Sequence, residues 1–287
     1  MRIRSEDWLA WPYLGGVVLL VVVPAAVALA IAFTNFNAIR PPEFTGFDNF
    51  ARVIRDEAFW RALGNTVVYI VIALPLRLIA AVAFALLLHR TSPGVGTARA
   101  IAYLPSVVPD AAFALLWLWF LNPLYGPISL ALGAVGLDGL GNGLLTDPWS
   151  TRVAIAVMGA FQIGEAFVIA LAARRLIPES LYDAARVDGA KPWFVLRRVT
   201  LPLMGPVLAL LALRDVIFSL QSNFVPALLI TDGGPRYATT FLPLFVYRSA
   251  FRYFRFGYAS AVTVAIFLIT ALVLYMQYRL VKRWRLL

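Results

Sequence analysis

Ile177-Pro178-Glu179-Ser180-Leu181-Tyr182-Asp183-Ala184-Ala185-Arg186-Val187-Asp188-Gly189-Ala190, continued by Lys191-Pro192-Trp193-Phe194-Val195-Leu196-Arg197-Arg198-Val199-Thr200-Leu201-Pro202, is a polar interruption between two long apolar runs. Pro178 and Ser180 start a short helix, and Glu179 suits its positive end. Leu181, Ala184 and Ala185 share one face, where the alanines leave a flat surface that another protein can approach closely. Gly189 can end the helix in the left-handed region, and Lys191-Pro192 forces a turn before the chain runs back to Leu201-Pro202. The flanking runs, about 153–173 and 203–230, are long enough to cross a hydrocarbon layer, which takes about 20 residues. A helix–Gly–helix joining two crossings is a handle outside the bilayer, and a partner gripping it could move both crossings together.

Working outward, four more apolar runs of that length appear, about 12–33, 65–88, 101–121 and 258–278. Lipid offers no partner to open backbone groups, so all six must be helices. The fold class predicted is all-α: one membrane domain over residues 1–287, a bundle of six transmembrane helices with the cytoplasmic loop at 174–200. The first run is too long for a cleaved signal peptide and no small-residue cleavage site follows it, so it is expected to stay as an anchor. Lys191, Lys282 and most arginines fall in the segments on the side of the 174–200 loop, which orients the bundle with both termini in the cytoplasm.

Of the 287 residues, 61% are hydrophobic and 14% charged, against roughly half and a quarter in soluble domains. The net charge of +10 therefore reads as basic cytoplasmic loops rather than a nucleic-acid surface, because the basic residues form no single patch with free aromatics. With no Cys and one His there is no disulfide framework, no thiolate nucleophile and no His- or Cys-rich metal site. No phosphate-cradling Gly-x-x-x-x-Gly-Lys-[Ser/Thr] loop, His-Glu-x-x-His or Gly-x-Ser-x-Gly is present, so any energy source must sit on partner subunits.

The first outer loop carries Pro41-Pro42 and then 48–63, which reads as one short amphipathic helix. The second is rich in Gly and Leu with turns at Asn122-Pro123 and Gly141-Asn142-Gly143. The third opens with Asp232-Gly233-Gly234-Pro235 and becomes aromatic and basic through Tyr247, Arg248, Phe251, Arg252, Tyr253, Phe254 and Arg255. It reads equally as an aromatic belt with snorkelling arginines or as a docking surface for an extracytoplasmic partner.

The 174–200 loop resembles the cytoplasmic signature of permeases of binding-protein-dependent ABC importers: Glu-Ala-Ala, three residues, Gly, nine residues, Ile, any residue, Leu-Pro. Here Asp183-Ala184-Ala185, Gly189, Val199 and Leu201-Pro202 keep every spacing, with Asp for Glu and Val for Ile. Gly46-Phe47-Asp48-Asn49-Phe50, Asn122-Pro123 and Gly233-Gly234-Pro235 followed by Thr239-Thr240 extend the resemblance toward the carbohydrate-uptake branch. The resemblance implies import of sugars or sugar-like solutes across a bacterial inner membrane. The partners implied are a second permease, two ATPase subunits holding ATP and Mg, and an extracytoplasmic solute-binding protein, with no cofactor in this chain. It also implies a coupling helix seated in the ATPase, carried by Glu179, Leu181, Asp183, Ala184, Ala185, Asp188 and Gly189. The shorter side chain at Asp183 leaves its contact open. A gradient-driven transporter would be expected to show internal repeats, and a membrane enzyme a catalytic cluster; neither is visible.

Charges inside a crossing are expensive and usually face a cavity or a partner. The fifth run is richest: Arg214, Phe218, Gln221 and Ser222 follow one helical stripe, while Asp215, Ser219 and Ser222 share the next, with Asn223 close by. Such groups could hydrogen-bond sugar hydroxyls with an aromatic ring beside them, or could glue this helix to its neighbours. Arg77 and Glu165 read as structural or interfacial charges.

Overall fold

The computed structural model describes residues 11–221 and 223–283, where every regular element is helical. In chain order these are α1 (Trp11–Ile31), α2 (Asp48–Arg55), α3 (Glu57–Leu87), α4 (Val95–Tyr103), α5 (Asp110–Phe120), α6 (Pro127–Ala134) and α7 (Asp138–Gly143). There follow α8 (Pro148–Gly159), α9 (Gly164–Arg175), α10 (Glu179–Val187), α11 (Leu201–Gln221), α12 (Leu242–Tyr247) and α13 (Phe256–Arg283). Among the described residues, α1, α3, the stretch Pro192–Thr231 that contains α11, and Phe256–Arg279 of α13 are each long and apolar enough to cross a membrane. Two bent pairs raise the number to six if each is one broken crossing: α4 with its extension to Ser106 followed by α5, and α8 followed by α9.

The chain divides into two compact units. The first holds the chain up to Trp60 together with Phe245–Ile269. In it the loop after α1 is tied down by Asn49, whose side-chain amide donates to the carbonyls of Ala32 (2.9 Å) and Thr34 (2.7 Å). Gly257 donates its N–H to Phe36 O at 3.0 Å, and Tyr258 donates its hydroxyl to Asp56 at 2.5 Å. The expected single helix at 48–63 is two: Asp56 turns extended and accepts the N–H of Ala58 at 2.8 Å, ending α2 and starting α3.

The second unit runs over Arg61–Leu244 and from Thr270 onward. Along α3 the residues Tyr69, Ala73, Arg77, Ala81 and Ala85 recur every fourth position and are all buried. Small residues on that face let neighbouring backbones come close, the packing mode open to helices whose other faces meet lipid. One apolar cluster joins Ala85 of α3 to Phe167, Ala170 and Leu171 of α9 and to Met204 and Leu211 of α11. Another joins Phe113, Ala114 and Trp117 of α5 to Ala154 and Met158 of α8 and to Ile230.

Straight crossings at 101–121 and 153–173 are not what forms. The first bends by 94° and the second by 54°. Pro105 and Pro109 explain the first, since Pro supplies no N–H and Pro109, held extended, starts α5 afresh. The second breaks between Gly159 and Gly164. A Cβ on Gly159 would meet Arg77 Nη2 at 2.5 Å and Tyr69 Oη at 2.8 Å, and one on Gly164 would meet Ser106 Oγ at 2.6 Å. Open backbone groups at such a break cost several kcal/mol each in an apolar layer. Side chains supply the partners: Arg77 Nε donates to Gly159 O (3.2 Å) and Ser106 Oγ accepts from the Gly164 N–H (2.8 Å). The run at 203–230 is interrupted too. α11 stops at Gln221, and Asn223 donates its amide to Ser219 O at 2.7 Å before a new turn starts at Phe224.

Candidate functional site

The two breaks meet at one cavity of about 270 Å³ within the second unit. It is lined by Arg77 from α3, Ser106 and Asp110 around the first break, Gln162, Ile163, Glu165 and Ala166 around the second, and Arg214, Asp215 and Phe218 from α11. Arg77 is buried and spends its donors in four directions. Nη1 reaches Asp215 Oδ1 (3.1 Å) and Ser219 Oγ (3.0 Å), Nη2 reaches Tyr69 Oη (2.6 Å), and Nε holds Gly159 O. A buried charge is tolerable when paired and hydrogen-bonded, and this guanidinium has one carboxylate partner and a hydrogen bond at each of its three nitrogens. Asp215 is less complete: among the described residues nothing donates to its buried Oδ2.

Arg214 pairs with Glu165 across from α9, and the ring of Phe218 lies 5.7 Å from each of the two guanidinium carbons. Gln162 donates to Asp110 at 3.4 Å. The adjacent Arg214 and Asp215 thus face different partners, one on α9 and one on α3. The cavity carries two arginines against three carboxylates, Asp110, Glu165 and Asp215, and both arginines are already engaged.

Of the expected pathway residues, Arg214 and Phe218 line this cavity. Ser219 is fully buried behind Arg77, and Asn223 is buried as the partner of Ser219 O. Gln221 is exposed and does not line it, while Ser222 lies outside the described residues. Arg77 and Glu165, expected to be structural or interfacial, bond across helices and also line the cavity. Reading the sequence missed Ser106, Asp110, Gln162 and Tyr69. The signal available was a Pro pair and a Gly pair interrupting two crossings, each beside a polar residue.

The handle, α10, has no buried residue. Its end is a left-handed cap: Gly189 has φ +69°, its N–H donates to Arg186 O (3.0 Å), and the Ala190 N–H donates to Ala185 O (2.9 Å). Leu181, Ala184 and Asp188 are exposed and Ala185 half-buried; with Lys191, Phe194 and Val199 they edge a shallow groove of about 640 Å³. Asp183 pairs with Arg186 on its own helix. Arg174, buried at the end of α9, stacks 4.0 Å from the ring of Tyr182 and approaches Glu179 at 3.5 Å, and Tyr182 Oη lies 3.1 Å from Thr200 Oγ1. The far end of α9 is therefore fastened to α10, and its near end carries Glu165.

Three similarities bear on these two features. A permease protein of Bacillus subtilis (strain 168), described as the probable ABC transporter permease YesP, is 30% identical over 280 residues, covering 95% of this chain and 89% of that one. The lactose transport system permease LacF of Rhizobium radiobacter is 31% identical over 244 residues, with 82% and 80% covered. In a bacterial ABC transporter involved in the import of the acidic polysaccharide alginate, one solved chain superposes with a TM-score of 0.82 at 25% identity, covering 97% of this chain and 96% of that one. Residues 82–286, which hold both breaks, the cavity-lining part of α11 and the whole of α10, match the family described as binding-protein-dependent transport system inner membrane component. The chain belongs to that family: it is a multi-pass membrane permease of a binding-protein-dependent transport system.

Proposed function

We propose that this chain is one of two permeases in an ATP-driven importer of a neutral sugar or sugar-like solute, with α10 as the helix that two-subunit ATPase machinery grips. ATP and Mg reside on those ATPase subunits, and this chain supplies neither nucleotide site nor cofactor. The solute arrives from an extracytoplasmic binding protein, both termini face the cytoplasm of a bacterial cell, and the second permease completes the path.

One observation carries the reading: α9, twelve residues and so about 18 Å long, is fastened to α10 at one end through Arg174 and Tyr182 and holds Glu165 against Arg214 at the other. A push on α10 therefore arrives at the cavity as a shift of Glu165. Lactose transport by one relative supports the sugar class, while the solved neighbour's alginate is an acidic polysaccharide and leaves the solute's charge to be argued from the cavity. The cavity supports a neutral one: hydrogen-bonding groups surround Phe218, and each arginine already faces a carboxylate, Asp215 for Arg77 and Glu165 for Arg214. By residue, Glu179, Leu181, Asp183, Ala184, Ala185, Asp188 and Gly189 form the ATPase seat, and Arg214 and Phe218 face the solute.

The test is the complex reconstituted in liposomes with its binding protein. Gly189→Val forces a branched side chain to φ +69° and costs the cap about 1–2 kcal/mol. Uptake and stimulated ATP hydrolysis are expected to fall together, by roughly 5- to 30-fold, the factor to which that cost corresponds. Unchanged rates for both, or uptake by this chain without any ATPase, sink the reading. Uptake of a uronate in preference to its uncharged analogue overturns the solute class.

A further inference from the structure

The first unit holds a hollow of about 510 Å³ that the transport cavity does not include. Two loops distant in sequence build it, the one after α1 with α2, and the one leading into α13. Its charged lining is Arg52, Arg55, Asp56 and Arg255. Asp56 is occupied by the Tyr258 hydroxyl. Among the described residues no carboxylate lies within ion-pairing distance of any of the three arginines. The Arg255 guanidinium lies 5.9 Å from the Tyr253 ring. All three are exposed.

The scaffold under them is fixed. Asn49 is buried and grips the carbonyls of Ala32 and Thr34, Gly257 is so close to Thr34 O that a Cβ has no room, and Phe254 is held at φ +54°. Three guanidinium groups on an ordered frame present a preorganised site for carboxylates, which arginine binds in a bidentate fashion. In the proposed orientation this hollow is extracytoplasmic. Basic residues in short outer loops run against the charge bias that orients membrane proteins, so three kept together there need a reason.

We propose that the hollow of Arg52, Arg55 and Arg255 is a seat for acidic side chains on the rim of the solute-binding protein. The inference rests on the importer reading and deepens it. A family that depends on a binding protein must meet it on the outer face. The hollow has room for more than one carboxylate side chain, and its formal charge, three positive against the single occupied Asp56, sets the sign of the partner.

The experiment measures half-saturation of ATPase stimulation by the binding protein, with the complete complex in nanodiscs, at low and high salt. Arg52→Gln with Arg55→Gln, and separately Arg255→Gln, are compared with Arg40→Gln, an exposed arginine outside the hollow. Assembly is checked by size-exclusion chromatography. The hollow variants are expected to raise half-saturation roughly tenfold at low salt and to flatten its salt dependence, because charges of this kind act on encounter and register. Arg40→Gln is expected to leave both unchanged. Equal effects at Arg40, or none in the hollow variants while the wild type responds, overturn the seat alone. So does a wild-type response that tracks the phosphatidylglycerol content of the nanodisc at constant binding-protein affinity, since the occupant is then a lipid. A wild-type complex that no binding protein stimulates overturns the importer reading and the seat with it.

Discussion

Arg77 bonds to Asp215, Ser219, Tyr69 and the end of α8 through one buried guanidinium. Removing it strands Asp215, whose second oxygen has no partner among the described residues. Breaking a buried pair from one side typically costs about 3–5 kcal/mol, whereas removing both charges can be near neutral. Arg77→Met is therefore expected to lower the unfolding temperature in detergent sharply, and Arg77→Met with Asp215→Asn to recover part of the loss. A double variant as unstable as the sum of its parts would show that the two residues act independently. The Arg214–Glu165 pair is a contrast, since its side chains are 43% and 58% exposed in the isolated chain. Exposed pairs contribute about 0–1 kcal/mol, so Glu165→Gln belongs among the transport variants rather than the unstable ones.

At the scale of the element, α8 depends on its first residue's neighbour. Asp147 caps it, accepting the N–H groups of Trp149 and Ser150 and the Ser150 hydroxyl. The Ser150 N–H, then its hydroxyl, hold the carboxyl below the usual carboxylate range. A group whose folded pKa is depressed stabilises above its unfolded value and loses that contribution as pH falls through the folded one. The protection factors of the Trp149 and Ser150 amides, taken against the intrinsic exchange rate at each pH, are thus expected to fall on acidification below the ordinary carboxylate range, and Asp147→Asn to flatten that dependence. An unaltered pH profile in the variant would remove the cap from the account.

Element by element, legibility in the sequence followed locality. The start, exposed face and terminating glycine of α10 lie within about a dozen consecutive residues, so Pro178, Ala184, Ala185 and Gly189 could be read together. The breaks at Gly159–Gly164 and Pro105–Pro109 could not. They sit in runs that stay apolar on average, and their partners are remote: Arg77 is 82 positions from Gly159 and 138 from Asp215. The stripe through Arg214 and Phe218 was legible from helical spacing, but spacing alone could not separate the cavity-lining Phe218 from Ser219, which is turned inward against Arg77.

For the whole molecule, orientation is the property on which both proposed surfaces depend. The chain has no cysteine, so single cysteines report without background. Ser180→Cys on α10 is expected to react with a membrane-impermeant maleimide only after cells are opened, and Ala38→Cys in the loop after α1 to react in spheroplasts. The opposite pattern would place α10 outside the cell and end the proposed role of the handle.

The bent crossings have an electrical consequence. Asp110 and Glu165 stand in the first turns of α5 and α9, where the unpaired N–H groups of a helix start act as roughly +0.5 of a charge each. Two such half charges offset the one surplus carboxylate among the lining side chains, so the charge around the chamber sums to about zero. An uncharged sugar would find there no net charge to slow its departure.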